Sequence, residues 1–251
     1  MPQFSDDLFL GAAQTYMGTN ATSNLGDPSP MDLGVGPVGR IYVWDTVPAA
    51  KAANNLVTST TPAAAGSLTL TAGAGITAVT LANGTTAYQL DVPRAVSVSL
   101  VVGGTARVFT VTGTDYYGQA MSEAITSVAN TTVNGKKAFF QITSITVSGA
   151  TTTAITVGTT DILGAPVKFS NKGYIARVGW DDTLAEDAAT VVNGVATTAT
   201  TTTGDVRGTV TPSSAADGAK RLVVAILLTG IQVGPNATRA GALGVNQNLV
   251  S

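Results

Sequence analysis

The stretch VPRAVSVSLVVGGTARVFTVTGTDYYGQAMSEAITSVANTTVNGKKAFFQITSITV, residues Val92–Val147, determines the fold class. Apolar and hydroxyl-bearing residues alternate along Val96–Leu100 and again along Phe109–Thr112, which is the period-two pattern of strands with one buried and one wet face. Gly-Gly and Asn-Gly pairs separate these runs, as tight turns between antiparallel strands require. The stretch therefore predicts an all-β scaffold.

Several glycine-containing turns predict hairpins between strands that are neighbours in sequence. The pairings that follow are Val98 with Phe109 and Val96 with Val111 across Gly103-Gly104, Val79 with Tyr88 across Asn83-Gly84, and residues 127–133 with 136–147 across Asn134-Gly135. Asp115–Gly118 is predicted to be a further turn, in which the Asp115 side chain bonds its own backbone.

About nine short strands between residues 66 and 170 have the spacing of a β-sandwich or jelly-roll-like domain. The predicted organisation is an extended N-terminal arm (1–40), a strand and linker (41–65), the β-sandwich domain (66–170), a second β layer (171–230) and an extended C-terminal arm (231–251). We expect Ile41–Val47, Gly173–Trp180 and Arg221–Thr229 to share a sheet. Arg207–Pro212 is predicted to be an edge strand because it ends in proline.

Charge is scarce in this chain of 251 residues, and several kinds of chemistry are excluded. Charged residues make up 11% of the sequence, less than half of the usual ~25%. The chain has no Cys and no His, so disulfides, thiolate chemistry and imidazole ligands are absent. The net charge of −2 and the lack of a basic run predict no nucleic-acid partner.

Neither a membrane span nor a targeting segment is expected from the sequence. The longest apolar run, Leu222–Leu228, is far shorter than the ~20 residues of a membrane helix, so it is predicted to be a buried central strand. The opening residues MPQFSDD carry acids where a signal peptide carries bases.

The acidic residues offer two candidate sites, each with a plainer interpretation. Asp115 and Glu123 lie close in sequence and could form the carboxylate pair of a glycosidase, although a turn role for Asp115 is favoured. The acidic cluster Asp181, Asp182, Glu186 and Asp187 could bind Ca²⁺, although its spacing departs from the EF-hand pattern and a solvated loop is favoured. We predict no catalytic residue, cofactor or metal, and hence no enzyme. Trp44 and Trp180 are interpreted as core or interface anchors rather than sugar platforms.

Six segments resemble a family of structural proteins of tailed bacteriophages. They are GPVGRIYVWDTVPAA (36–50), GSLTLTAG (66–73), LDVPRAVSV (90–98), FTVTGTDYYGQAMSEAI (109–125), VNGKKAFFQITSITV (133–147) and GTTDILGAPVK (158–168). Members of the family are virion proteins of the head, described as capsid cement or decoration proteins. The resemblance implies a protein made in the host cytoplasm that binds major capsid protein on the outer surface of the capsid.

A cement protein clamps neighbouring capsid subunits, and arms that cross subunit boundaries would help it to do so. Because an arm loses conformational entropy when it docks, it must bury apolar anchors. The predicted partner-binding residues are Phe4, Leu8, Phe9 and Tyr16 in the first arm and Leu243, Val245, Leu249 and Val250 in the second. Pairing of edge strands between copies would give a homo-oligomer, a dimer or trimer.

The leading hypothesis is therefore a capsid cement protein. The alternatives are a tail or fibre-base virion protein and a glycan-binding β-sandwich module. A cement protein should bind expanded shells and stabilise them, whereas a glycan module should bind polysaccharide alone.

Overall fold

The computed structural model describes residues 40–169, 171–181, 183, 185–194 and 204–228. Fourteen strands and one 3-10 turn (Lys172–Tyr174) make up this part of the chain, which confirms the all-β, sandwich-like fold class. The strands are β1 (Arg40–Thr46), β2 (Val57–Thr60), β3 (Gly66–Ser67), β4 (Ile76–Thr80), β5 (Thr86–Leu100), β6 (Val108–Thr114), β7 (Ala120–Thr126), β8 (Thr131–Asn134), β9 (Phe139–Val147), β10 (Ile155–Gly164), β11 (Ile175–Trp180), β12 (Thr190–Asn193), β13 (Gly208–Thr211) and β14 (Leu222–Leu228). Residues 1–39 and 229–251, which include the whole predicted C-terminal arm and all but Arg40 of the predicted N-terminal arm, lie outside the described residues.

The long strand β5 organises a curled antiparallel sheet of eleven strands. Along one edge it pairs first with β4 and then with β10, and along the other first with β9 and then with β8. Every residue from Val92 to Val98 is buried, so both faces of this segment are covered. The alternation Val-Ser-Val-Ser predicted one wet face; instead Ser97 is buried together with its apolar neighbours.

Two of the predicted hairpins are wrong. Strands β5 and β6 flank Gly103 but do not pair; β6 lies between β7 and β9. Val98 and Phe109 instead share one hydrophobic core without a ladder between them. The strands around Asn134-Gly135 also separate, since Val133 of β8 pairs with Val98 of β5. The chain does turn at Gly103, where the Gly104 N–H donates to the Val101 carbonyl, but β5 already has β10 and β8 along its edges. At Gly135 no tight turn forms, because its N–H donates to the Val96 carbonyl and continues the pairing of β8 with β5.

Two other predicted turns are confirmed. Strands β4 and β5 form a hairpin around Asn83-Gly84, with Val79 opposite Ala87 rather than the predicted Tyr88. The shift by one residue arises because Gly84, at φ 80°, closes a wider turn in which its N–H donates to the Leu81 carbonyl. The turn Asp115–Gly118 joins β6 to β7, with the Gly118 N–H donating to the Asp115 carbonyl.

A second, three-stranded sheet has the order β1-β14-β11. The expectation that residues near 41–47, 173–180 and 221–229 share a sheet is thus confirmed, and β14 is its central strand. Leu222, Val224 and Ile226 are fully buried on one face of β14.

The sequence between these strands does not stay in the small sheet. Strand β13 pairs with β10 on one side and with β12 on the other, so it extends the large sheet and is not the predicted edge strand. Its proline, Pro212, lies just beyond the paired residues and removes no ladder hydrogen bond. Strand β10 runs on to Gly164, and the chain from there to Phe169 is irregular.

Two hydrophobic cores result from this arrangement. The first lies within the large sheet and includes Val96, Val98, Phe109, Phe139, Ile145 and Ile155. The second joins the small sheet to the large one and includes Tyr42, Trp44, Leu163, Phe169, Val178 and Val224. Since β10 contributes Ile155 to the first core and Leu163 to the second, it connects both.

Gly158 allows the chain to pack closely against β10. It pairs with Ser97 of β5, and a Cβ atom at Gly158 would overlap the carbonyl oxygen of Ala52. That oxygen already accepts the N–H of Thr159 at 2.9 Å, so the backbone has no room to withdraw.

We therefore expect Gly158→Ala to lower the free energy of unfolding by about 1–3 kcal/mol, the usual cost of overpacking. Denaturant unfolding measures the change. Gly173→Ala is the matched control, because its Cβ would meet only the Asn171 Oδ1 at 3.4 Å, an ordinary contact. Equal stability of the two variants would contradict the packing argument.

Candidate functional site

The eight predicted partner-binding residues, Phe4, Leu8, Phe9, Tyr16, Leu243, Val245, Leu249 and Val250, lie outside the described residues. The points where the two arms join the body are described. Strand β1 begins at Arg40, and the antiparallel pairing places it directly opposite Leu228, the last residue of β14. The first and last described residues, Arg40 and Leu228, are therefore neighbours at one end of the small sheet.

A buried ion pair joins the β6–β7 turn to the start of β13. The Arg207 Nη1 donates to the Asp115 Oδ2 at 2.7 Å, and the Arg207 Nε donates to the Ala165 carbonyl at 3.2 Å. The two side chains are 1% and 0% exposed. The Tyr117 ring lies 5.4 Å from the guanidinium carbon and adds a cation–π contact. The turn is thus held against the second core by an ionic contact that water does not reach.

Asp115 also has the turn role predicted from the sequence. Its Oδ1 accepts the N–H groups of Tyr117 at 2.9 Å and Gln119 at 2.8 Å. Both of its carboxylate oxygens are therefore bound by groups of the protein itself, as are those of Glu123. The structure uses the two residues of the suggested glycosidase pair to fix separate parts of the backbone.

Asp205 connects the same region to the start of β9. Its Oδ1 accepts the N–H groups of Arg207 at 2.9 Å and Gly208 at 3.1 Å, and its Oδ2 accepts the N–H of Ala138 at 3.0 Å. A buried carboxylate needs such donors to offset its lost hydration. The Asp205 carboxylate therefore joins two segments that have no backbone ladder between them.

Glu123 and Lys137 complete the buried charges at this end of the sheet. The Glu123 carboxylate accepts the N–H of Lys136 at 2.6 Å and that of Lys137 at 3.2 Å, while the Lys137 Nζ donates to the Ser122 carbonyl at 2.9 Å. Burial raises the pKa of Glu123, against the lowering effect of the two N–H donors. Burial likewise lowers the pKa of Lys137, against the nearby charges of Glu123 and Asp205.

A second ionic group fixes the linker between β1 and β2. Arg94, 1% exposed, donates to the Ala49 carbonyl at 3.1 and 3.2 Å and to the Asp91 Oδ2 at 2.7 Å. Burial lowers the pKa of the Arg94 guanidinium, and Asp91 and Asp161 oppose that shift. The Arg94 Nε and the Asp161 Oδ1 are buried without a hydrogen-bond partner, so this group is less completely satisfied than the Arg207 pair.

The acidic cluster does not form a metal centre among the described residues, where no group of three or more potential metal-ligating side chains is found. Asp182 lies outside the described residues. Asp187 accepts the N–H groups of Ser213 at 2.7 Å and Ser214 at 3.2 Å, and the Trp180 Nε1 donates to it at 3.2 Å. Asp181 accepts the Arg221 N–H at 2.8 Å. The favoured interpretation, a solvated loop, is thus only partly correct, because Asp187 and Asp181 each bind backbone N–H groups of another segment.

The two tryptophans belong to the second core, as the favoured interpretation predicted. Trp44 and Trp180 are 7% and 8% exposed, which leaves neither ring face open to a sugar.

Two clefts of similar size open on the described surface. One, of about 400 Å³, lies between β2 and β3 and is lined by β2, residues 62–69, Thr71 and Val147. The other, of about 420 Å³, lies between β11 and β12 and contains Arg177, whose Nη2 is buried without a hydrogen-bond partner. Neither cleft contains a nucleophile with an adjacent base, the arrangement that covalent catalysis requires.

An apolar patch covers the opposite end of the large sheet from the Arg207 pair. Val101, Val102 and Val128 are 55%, 65% and 51% exposed, and the bridge between Leu100 and Ala129 brings their loops together. Exposed apolar groups gathered at one place suit contact with another molecule.

No protein-family model, curated protein or solved structure matches the chain. Within the part of the chain that the structure describes, no helix has the length and hydropathy that a membrane span requires. The class that the fold and these sites define is an all-β scaffold held together by buried charges.

Sequence reasoning found Asp115 but missed its partner Arg207, together with Asp205 and Lys137. The pair is separated by 92 positions in the chain, so no local spacing connects its members. One signal in the sequence could have pointed to these residues: they are isolated charges in a chain otherwise rich in Thr, Ala and Val. Charged residues that are buried are nearly always paired, so each isolated charge was a candidate for a buried pair.

Removing one partner of the buried pair should be costly. We expect Asp115→Ala to lower the free energy of unfolding by about 3–5 kcal/mol, since an uncompensated guanidinium would remain inside. The control is Asp45→Ala, which breaks the Arg221–Asp45 pair, at 2.9 Å, between side chains that are 40% and 45% exposed. That variant should lose under about 1 kcal/mol. A loss for Asp115→Ala as small as the control's would contradict the structural role of the pair.

The raised pKa of Glu123 gives a pH dependence of known sign. In the folded protein Glu123 holds its proton to higher pH than in the unfolded chain, so its contribution to stability falls as pH rises from the ordinary glutamate pKa through the raised one. We expect the stability of the wild type relative to Glu123→Gln to decrease over that window. Unfolding free energies of both proteins, measured upward from about pH 4, near the ordinary glutamate pKa, test this. A difference that grows with pH would contradict the direction of the shift.

Proposed function

We propose that this chain is a capsid cement or decoration protein of a tailed bacteriophage, which binds the outer surface of the head and clamps neighbouring major capsid subunits. The observation that carries the proposal is the pairing of Arg40 with Leu228. It places the attachment points of the two proposed arms next to each other on the body, and that is a suitable form for bridging subunits. The resemblance of residues 36–168 to phage head proteins supports the same assignment.

The distribution of charge adds support. The chain has 13 basic and 15 acidic residues. Within the described part of the chain, seven charged side chains are buried: Arg94, Asp115, Glu123, Lys137, Asp161, Asp205 and Arg207. The surface is correspondingly poor in charge and rich in Thr, Ala and Gly. Such a surface can be covered by another protein without the cost of desolvating many ions.

The arms supply the anchors in this proposal. Phe4, Phe9 and Tyr16 are bulky apolar residues in a segment whose four charged residues, Asp6, Asp7, Asp27 and Asp32, are all acidic. Burial of one such side chain contributes about 1.5–3 kcal/mol, which offsets the backbone ordering of about one or two residues, so an arm needs several anchors. The body then acts as the fixed point to which both arms return.

The two alternatives are a different position on the virus particle and a different ligand. A tail or fibre-base protein would use the same rigid body at another place on the particle. The glycan-binding alternative relied on tryptophan platforms, and the burial of Trp44 and Trp180 leaves it without that support. Density for this chain at the capsomer junctions of the intact particle, rather than on the tail, is the expected result of cryo-electron microscopy.

The arms can be tested on expanded, empty heads of the phage that encodes the chain. We expect the wild type to bind them at fixed stoichiometry and to raise their melting temperature. Replacing Phe4, Phe9 and Tyr16 with serine should weaken binding by more than about tenfold, because several kcal/mol of apolar burial are lost. Deleting residues 1–35 should weaken it further while the body stays folded.

The matched control replaces Gln3, Gln14 and Asn20, three polar residues of the same arm, with serine. This control should bind heads like the wild type. Unchanged affinity of the deletion variant would eliminate the role of the first arm. Absence of wild-type binding to heads, with binding to tails or to polysaccharide, would eliminate the cement function.

A further inference from the structure

The chain contains three Asn-Gly pairs, Asn83-Gly84, Asn134-Gly135 and Asn193-Gly194. Asparagine is one of the thermally labile residues. In an Asn-Gly pair the backbone nitrogen of the glycine can attack the Cγ of the asparagine side chain, because glycine has no Cβ to hinder the approach and rotates freely about its backbone bonds. Since the three pairs share this chemistry, a difference between their reactivities in the folded protein must come from the structure around them.

The pair Asn83-Gly84 lies in an open hairpin turn. Residues 82–86, between β4 and the start of β5, are all exposed, and a Cβ placed at Gly84 would meet nothing within 4 Å. Two backbone hydrogen bonds hold the turn: the Gly84 N–H donates to the Leu81 carbonyl at 2.8 Å, and the Leu81 N–H donates to the Thr85 carbonyl at 2.9 Å. Both bonds join residues of the turn itself, so the turn can open without separating β4 from β5.

The side chain of Asn83 is already folded back over this turn. Its Oδ1 accepts the N–H of Thr85 at 3.0 Å, which is the hydrogen bond of an Asx turn. This bond holds the Asn83 Cγ beside the backbone of Gly84. It also directs an N–H group at the oxygen that gains negative charge when Cγ is attacked, and such a donor stabilises the intermediate.

The other two pairs are held by buried backbone. Gly135 is buried, its N–H donates to the Val96 carbonyl at 2.7 Å, and a Cβ there would overlap the Glu123 carboxylate. Gly194 is also buried, and its N–H donates to the Phe169 carbonyl at 2.9 Å. In both pairs the glycine nitrogen is fixed to a distant segment of the chain, so it can attack only when the two segments separate. Such an opening costs much more free energy than the opening of an exposed turn.

We propose that Asn83 is a site of spontaneous deamidation in the folded protein, and that the open turn selects it over Asn134 and Asn193. In the first step the Gly84 nitrogen bonds to the Asn83 Cγ, the Cγ–Nδ2 bond breaks, and ammonia leaves with the proton of the Gly84 N–H. The product is a succinimide ring. Water then adds to either ring carbonyl, and the ring opens to aspartate or isoaspartate at position 83. Water is the only co-reactant.

The modification introduces charge into a part of the chain that has none. Residues 52–90, which include the turn, contain no Asp, Glu, Lys or Arg. Aspartate at position 83 would place a carboxylate on this surface and could keep the hydrogen bond from the Thr85 N–H. Isoaspartate would lengthen the backbone before Gly84 and disturb the bond between Leu81 and Thr85. The inference goes beyond the proposed function, because it concerns the purified protein and requires no phage head.

Peptide mapping of aged protein tests the proposal. The full chain, folded or unfolded in denaturant, is incubated at mildly alkaline pH and then digested at acid pH, where the reaction is slow. Mass spectrometry measures the conversion of amide to carboxyl at Asn83, Asn134 and Asn193. In the folded protein we expect Asn83 to react more than about tenfold faster than the other two, because they require the larger opening. In the unfolded protein the three rates should be similar, since each asparagine precedes a glycine.

Matched variants connect the modification to the turn. Asn83→Gln lengthens the side chain by one methylene and removes the reactive geometry, so the first acidic form that the folded wild type gives in ion-exchange chromatography should not appear. Asn134→Gln makes the same change at another Asn-Gly pair, and its acidic form should appear at the wild-type rate. Gly84→Ala should slow the reaction at Asn83 in both the folded and the unfolded protein, because a Cβ hinders the attack. Circular dichroism verifies that each variant folds.

Three results would overturn the proposal. The first is an intact Asn83 in the folded protein after the unfolded chain has reacted completely, which would show that the turn protects it. The second is reaction of Asn134 or Asn193 in the folded protein as fast as that of Asn83, which would show that the structure does not select among the pairs. The third is an undiminished first acidic form in Asn83→Gln.

Discussion

A buried strand has two edges, and every peptide group along both must be hydrogen-bonded. In this molecule the constraint applies above all to β5, which has fifteen residues and is longer than any strand that pairs with it. Four strands satisfy it, β4 and β10 along one edge and β9 and β8 along the other, and of these only β4 is a neighbour of β5 in sequence. The curl of the large sheet, the first core and the position of β10 between the two cores all depend on this sharing of one strand.

Where strands end or diverge, buried charged side chains form the hydrogen bonds to backbone groups that a neighbouring strand would otherwise form. Asp205 binds three N–H groups from two segments that do not pair, Glu123 binds two more, and Arg94 fixes the linker through the Ala49 carbonyl. A chain poor in charge thus places several of its ions inside, each at a junction between elements. The benefit is a defined geometry at positions where apolar packing alone would leave backbone groups unsatisfied. It also leaves a surface of hydroxyl and small apolar groups.

Sequence reasoning was reliable for features set by neighbouring residues. The alternation in Val96–Leu100 predicted a strand, the Asp115–Gly118 turn and the buried run Leu222–Leu228 were correct, and three separated segments were rightly assigned to one sheet. It failed where the answer lay in distant partners. The turn residues at Gly103 bend the chain as expected, but they do not specify which strand lies beside β5. Arg207 was missed for the same reason, since nothing near it in sequence reveals Asp115.

The pairing of Arg40 with Leu228 has a mechanical consequence. Hydrogen bonds in an antiparallel ladder run perpendicular to the strands. Tension that pulls the two chain ends apart sideways would load the bonds of β1 and β14 one rung at a time, and the strands would peel. Tension that pulls both ends in the same direction would not strain the pairing of β1 with β14; it would shear β14 against β11 and be borne by the paired positions of those two strands together. The molecule is therefore strong under parallel traction on its ends and weak under spreading.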